Sequence, residues 1–281
     1  MILGISISDN RVLLAAREEA DRESEYYQFD LPADFFDREG RSDTIWETAD
    51  ESIKNIYLNA ERVVVGLPAS ICLAKRMELD IRHDSEKSDY RRWRAAIQLP
   101  GNLAEYEYGF VPIARSFDGT KEETIFFAVP ARQVEKLKRA VFAEKTQGSV
   151  ILIPEHIAFV ELIRKSINKD DISQAAAVHM ENDYCLAVLV KDDRFFRGRV
   201  FPVSRLGDDT IGQDVLTYLL CFLSPDEPAP LVITGRTDKL KIEWSPIITA
   251  FLDIKNLDFC VAWGLSEFAA AGGQCVLSAA S

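Results

Sequence analysis

The sequence predicts an α/β protein of two strand-led lobes, with a small βαββα module inserted in the first. Three observations predict it. Short apolar runs, alternating or continuous, are interspersed with longer stretches whose apolar residues recur at helical spacing. Both halves open strand, tight turn, strand, a coarse internal duplication. The 281 residues exceed one typical domain of ~100 to 200 residues, so two lobes are expected.

The elements follow in order. ILGISIS, RVLLAAREE and SEYYQFDL read as strands, and an acidic helix spans about Ser42 to Tyr57, with Ile45, Ala49, Ile53 and Ile56 at helical spacing. Arg62 to Leu67 reads as a fully buried strand closed by Pro68. The next unit has a strand from Cys72 to Leu79, a basic helix from Ser88 to Gln98, and strands over Glu105 to Ala114 and Thr124 to Val129. The Asp-Gly loop SFDGTKEE joins those last two strands. Pro130 then opens a helix with the stripe Val134, Leu137, Val141 and Phe142. SVILI is a strand, and Pro154 opens a helix through Ile163. Ala175 to Met180 and Tyr184 to Lys191 begin the second lobe, followed by Arg199 to Pro202, a helix over Asp208 to Phe222, and the strand LVITG. A helix opened by Ser245 and Pro246 and a strand LDFCVA complete it. Residues 1–70 and 146–173 thus form the first lobe, 71–145 the inserted module and 174–281 the second lobe.

Composition narrows the function classes. Apolar residues are 47% and charged residues 28%, the balance of a folded globular chain. The apolar stretches Thr217 to Leu223 and Val150 to Ile163 fall short of the ~20 residues a bilayer span needs, so no span is expected. MILGISISDNR has no charged n-region or cleavage site, so a cytoplasmic location is expected. Cys72, Cys185, Cys221, Cys260 and Cys275 are odd in number and lie mostly in apolar runs, which reads as buried thiols in a reducing compartment. A net charge of -12 repels phosphate-rich partners, so nucleic acid binding is not expected.

Four stretches carry a resemblance: Leu3 to Ser8, Val63 to Pro68 running into Ala74 to Leu79, Phe127 to Arg132, and Leu231 to Thr234 with Gly264-Leu265. Their order resembles the actin-like ATPase fold in its bacterial form, and within it the pilus-assembly PilM type. Trp93 to Val111 resembles the family's helix, proline turn and aromatic strand. The cytoplasmic portion of the L-type protein of general secretion systems is a cousin from which the sequence does not separate it. The resemblance implies ribonuclease H-like duplicated lobes around a nucleotide cleft. It also implies a groove beside the inserted module that takes a cytoplasmic peptide of an inner-membrane partner.

An actin-like site wraps phosphates in two glycine-bearing turns, each with an Asp that organises Mg²⁺. Here Ser6 and Ser8, followed by Asn10, stand at the first turn, and His179, Glu181 and Asp183 at the second. The adenine-side turn keeps one glycine, Gly235. Carboxylates at the place of phosphate oxygens disfavour ATP and Mg²⁺: two like charges at 4 Å cost roughly 1 kcal/mol even in water. The cleft therefore reads as degenerate, with no cofactor and no catalytic residue.

Other chemistry finds less support. His83, His156 and His179 lie far apart, read as ordinary surface or helix-face imidazoles, and offer no metal site; no CxxC pair suggests zinc. Ser266 in GLSEF lacks the glycine of a nucleophile elbow, and Asp208 with Asp209 suits a helix start. The basic helix stands out in an acidic chain. Arg91, Arg92, Trp93 and Arg94, with Tyr106 nearby, read either as a solvated face or as a docking surface, since Arg and Trp concentrate binding energy. The expected function is a non-catalytic adaptor of a type IV pilus or type II secretion inner-membrane platform. It would hold a membrane protein's cytoplasmic segment and couple it to the motor ATPase. The alternatives are an ATPase or small-molecule kinase with an atypical phosphate site, or a filament-forming protein.

Overall fold

β1 (Ile2–Ser8) and β2 (Arg11–Arg17) form an antiparallel hairpin in full register, Ile2 opposite Arg17 and Ser8 opposite Arg11. The structure, a computed structural model, describes residues 1–8, 10–18, 23–32, 35–36, 44–80, 82, 87–142, 149–166, 173–203, 208–227, 229–236, 259–272 and 276–278. β3 (Glu25–Asp30) pairs antiparallel with β2, while β4 (Arg62–Leu67) and β8 (Ser149–Pro154) join parallel, giving the order β3-β2-β1-β4-β8. β1 and β4 are covered on both faces, which is why they read as continuous apolar runs.

The acidic helix expected from Ser42 is divided. A 3-10 turn covers Ile45–Glu47 and α1 spans Glu51–Asn59; residues 41–43 lie outside the described residues. Packing explains the break. Trp46 stacks on Tyr57 with centroids 3.8 Å apart, and both donate to the Val141 carbonyl at 2.7 Å. In one straight helix these residues would be about 16 Å apart along the axis. The Val141 carbonyl lies in the last turn of α3 (Ala131–Phe142), where helix carbonyls lack an internal donor, so the two aromatics satisfy it.

In the inserted module β7 (Lys121–Pro130) pairs antiparallel with both β5 (Leu73–Asp80) and β6 (Tyr106–Arg115), and α2 (Lys87–Ala96) links β5 to β6. The Asp-Gly loop forms as expected. Gly119 takes φ +67°, and the Asp118 carboxylate is drawn down to about 2 by the Ser116 hydroxyl and by Thr120. Pro130 and Pro154 each close a strand, and α3 and α4 (Glu155–Ser166) begin one residue later.

The second sheet runs β11-β10-β9-β12. β9 (Gln174–Met180), β10 (Tyr184–Lys191) and β11 (Arg194–Pro202) pair antiparallel, and β12 (Leu231–Gly235) pairs parallel to β9. Strand alternation divides its side chains. Ala175, Ala177, Leu186 and Val188 join the main core with the first sheet, while Ala176, Val178 and Leu189 pack with Ile211, Val215 and Leu219 of α5 (Asp208–Leu220). The expected helix from Ser245 lies outside the described residues.

The expected strand LDFCVA is corrected: from Cys260 the chain is α6 (Cys260–Ala270). This helix is buried on nearly every face, so it shows no polar stripe, and a short apolar run does not separate a buried helix from a buried strand. It packs on β1, β2, β4 and α4, elements of the first lobe, although it follows the second in sequence. Two glycines permit the approach. A Cβ on Gly4 would lie 2.0 Å from the Ala262 carbonyl oxygen, and one on Gly264 would lie 2.3 Å from that of Ala158. Glu267 of α6 is buried between Arg17 of β2 and Lys165 of α4. Beyond α6, β13 (Val276–Ser278) pairs antiparallel with β6 of the inserted module.

Candidate functional site

The ends of β1 and β9 meet across the cleft between the lobes. The Ser8 hydroxyl donates to Glu181 Oε2, joining residues 173 apart in sequence. Glu181 Oε1 lies 2.7 Å from His179 Nε2, and His179 Nδ1 lies 2.8 Å from Thr234 Oγ1 at the end of β12. Burial disfavours charge on His179, but hydrogen bonding to Cys260 and Glu181 overcomes it and raises the imidazole to about 10. Burial also disfavours the Glu181 carboxylate; His179 outweighs this, with help from Ser8 and Arg11, and lowers it below 4.5. The cleft therefore carries a fixed anion whose counter-charge has both ring nitrogens committed.

A second tie lies beneath it. Glu155, the first residue of α4, is buried, and its Oε2 accepts from the Ala69 backbone N–H at 2.9 Å and from the Tyr184 hydroxyl at 2.8 Å. Burial is the main cause of its rise to about 7, against the opposing effects of His179, Tyr184 and Ala69. Beside these ties lies a cavity of about 390 Å³. Ile7, Ser8, Pro68, Ser70 and Ile71 line it with Gln133, Lys136 and Leu137 of α3, and Glu181, Asp183 and Tyr184 close it. Lys136, its one lining cation among the described residues, donates to the Phe36 carbonyl at 3.2 Å. A phosphate entering here meets two carboxylates.

The residues expected at the cleft are not all together. Ser8, His179 and Glu181 form one hydrogen-bonded chain, and Asp183 lines the cavity. Ser6 is buried inside β1, and Asn10 is exposed in the β1–β2 turn. Gly235 has φ +77°, and a Cβ there would lie 2.1 Å from the Met180 carbonyl oxygen, which accepts from the Arg236 N–H. Gly235→Ala is thus expected to cost about 2 kcal/mol, from the left-handed backbone and the contact together, read as a lower urea midpoint. Of the expected surface or helix-face imidazoles, His156 does lie on a helix, α4, though buried, while His179 is buried in β9 and corrects the expectation. His179 serves the cleft, while His156 is buried beneath Gly198 and lowered to about 4 by burial. His83 is outside the described residues. No motif in the sequence marks Glu155, Tyr184 or Lys136 as a cleft residue. A carboxylate directly after Pro154, inside the apolar run Val150 to Ile163, was the available signal for the first.

One arginine of the basic helix is ion-paired and a second is tied to a backbone carbonyl. Arg91 donates to the buried Glu122 at 2.9 Å with its guanidinium 5.6 Å from the Phe110 ring, and Arg94 donates to the Glu78 carbonyl at 3.1 Å. Lys75 and Arg76 of β5 bond Gln98 and Glu123. Tyr106 is half-buried at the start of β6. Arg92 and Trp93 remain outward. Trp93 is 56% exposed and Ile97, one turn on and just past the end of α2, 52% exposed, so the outward surface here pairs an apolar ridge with the exposed Arg92.

Two sheets of this topology, with α4 and α6 between them and a β-rich insertion on the first, define an actin-like fold. Among solved structures, a chain of the PilM–PilN type IV pilus biogenesis complex matches with TM-score 0.65 and 15% identity over 96% of this chain and 98% of that one. The cytoplasmic domain of EpsL, an inner membrane component of the type II secretion system of Vibrio cholerae, matches with TM-score 0.55 and 12% identity over 94% and 93%. A Bacteroides thetaiotaomicron protein with an actin-like ATPase fold and unknown function matches with TM-score 0.55 and 10% identity over 94% and 95%. The chain has the actin-like ATPase fold that the sequence resemblance implied. No model of a known protein family matches it, and no curated protein does. Among the described residues, no helix is long and apolar enough to cross a membrane.

Proposed function

We propose that this chain is a non-catalytic actin-like adaptor of a type IV pilus or type II secretion inner-membrane assembly platform. It stays on the cytoplasmic side, binds a cytoplasmic segment of an inner-membrane partner, and couples that partner to the motor ATPase. The observation that carries the reading is the Ser8–Glu181–His179 chain. An ionised carboxylate bridges the lobes at the place where an actin-like site holds phosphate, and Asp183 stands beside it. The likeness to a chain of the PilM–PilN complex and to the EpsL cytoplasmic domain supports the setting. The exposed ridge of Trp93 and Ile97 supports a protein contact on the inserted module, since a solvent-facing Trp suits an interface anchor.

Titration with Mg-ATP is expected to show no saturation below about 1 mM, a free energy weaker than roughly -4 kcal/mol. Micromolar binding that is lost on Ser8→Ala would overturn the adaptor reading in favour of an ATPase. Purification from detergent-solubilised membranes is expected to recover a single-span inner-membrane protein. Trp93→Ala should weaken that recovery at least about tenfold, while shifting stability by less than about 0.5 kcal/mol.

A further inference from the structure

The inserted module's sheet ends in a borrowed strand. β6 has ten residues and pairs along nearly all of β7, but on its other side only β13 is paired among the described residues. That ladder is three pairs long: Val276 with Phe110, Leu277 with Gly109, and Ser278 with Tyr108. β13 is not part of the module's own stretch of sequence, because it follows α6, a helix seated in the first lobe. α6 ends at Ala270, and Gly272, two residues on, takes a φ of +75° with open space where a Cβ would stand. A free strand edge is a template for any extended chain, and a three-residue occupant holds it with few hydrogen bonds.

We propose that the outer edge of β6 is a strand-addition site, closed in this structure by the chain's own Val276–Ser278. An extended aliphatic stretch of the partner's cytoplasmic segment opens it by displacing that strand. The occupant's chemistry follows from the seat. The cis strand is Val-Leu-Ser, and main-chain pairing along a ten-residue edge asks for a longer segment in extended conformation. The existence of a partner rests on the adaptor reading, but the seat does not, and the test needs no partner.

A synthetic peptide spanning residues 274–280, with Cys275→Ser, serves as the probe on the full chain. In the unsubstituted chain it competes with a tethered strand at an effective concentration near millimolar. Leu277→Pro puts a residue with a fixed φ and no backbone N–H in the middle of the three-pair ladder, which frees the edge. The peptide is then expected to bind Leu277→Pro at least about tenfold tighter than the unsubstituted chain. Hydrogen-exchange protection over Tyr108–Phe110 should fall in the variant and return with peptide. A peptide N-methylated at positions 276 to 278 should not bind. Ser278→Pro is the second variant, and both must keep the unsubstituted chain's circular dichroism. Equal affinity in variant and unsubstituted chain, no binding to either variant, or an unsubstituted chain that elutes as a strand-exchanged dimer overturns the proposal. A peptide that binds as expected while no membrane protein co-purifies leaves the seat standing and removes the adaptor reading.

Discussion

Gly4→Ala is expected to lower the free energy of unfolding by about 3 kcal/mol or more, and Gly4→Val to prevent accumulation of folded protein. The added Cβ would lie 2.0 Å from the Ala262 carbonyl oxygen and 2.8 Å from the Ser266 nitrogen, both backbone atoms of α6. No rotamer relieves such a contact. β1 is held on both sides, by β2 and β4, so the helix must move, and its opposite face is seated on Ala158 through Gly264. Gly264→Ala should cost a similar amount. The double variant should cost less than the sum, because one displacement of α6 relieves part of both contacts. Gly101→Ala is the control: the nearest atom to its Cβ would be the Glu105 carboxylate at 3.4 Å, an ordinary contact at the end of a flexible side chain. Urea midpoints of Gly4→Ala, Gly264→Ala, the double variant and Gly101→Ala test the set, and a Gly4→Ala loss below about 1 kcal/mol would show that α6 yields more freely than its packing implies.

His179→Ala is expected to cost about 3 kcal/mol near pH 6, because it leaves the mostly buried Glu181 carboxylate without its partner. His179→Ala with Glu181→Ala together should cost less than the two singles combined. The pH profile carries its own signature. His179 is raised from 6.5 to about 10, so its contribution is complete below pH 6.5 and is lost as pH rises toward 10. Glu155 is raised from 4.5 to about 7, so its contribution is complete below pH 4.5 and is lost as pH rises through 7. Glu181 is lowered, and its contribution disappears as pH falls below 4.5. Thermal stability should therefore be highest near pH 5 and decline toward pH 9. Glu155→Gln should flatten the decline between pH 5 and 7, and His179→Ala the decline above 7. A midpoint that rises from pH 5 to 9 would contradict both assignments.

Much of the architecture was present in local pattern. The hairpins β1–β2 and β9–β10, the inserted βαββα order and the stripe of α3 are set by periodicity within a few residues, and proline and Asp-Gly punctuation marked their ends. Ser8, His179 and Glu181 were singled out through the resemblance to actin-like turns, and the structure joins them in one hydrogen-bonded chain. Glu155 and Tyr184 were not, since their roles come from meeting each other and Ala69 in three dimensions.

Sequence alone therefore determined the strand–turn–strand openings of the two halves, the βαββα order of residues 71–145 and the carboxylates Glu181 and Asp183 in the turn after β9. Each of these depends on neighbours along the chain. Tertiary structure decided the break before α1, where stacking of Trp46 on Tyr57 outweighed a continuous helical period. It made α6 a helix, because an element buried on nearly all sides shows no amphipathic period. It turned Arg91 onto the Glu122 carboxylate and Arg94 onto the Glu78 backbone carbonyl, leaving Arg92, Trp93 and Ile97 outside. It also returned β13 to the edge of β6 and Ser8 to Glu181, pairings separated by more than 150 residues that local pattern does not encode.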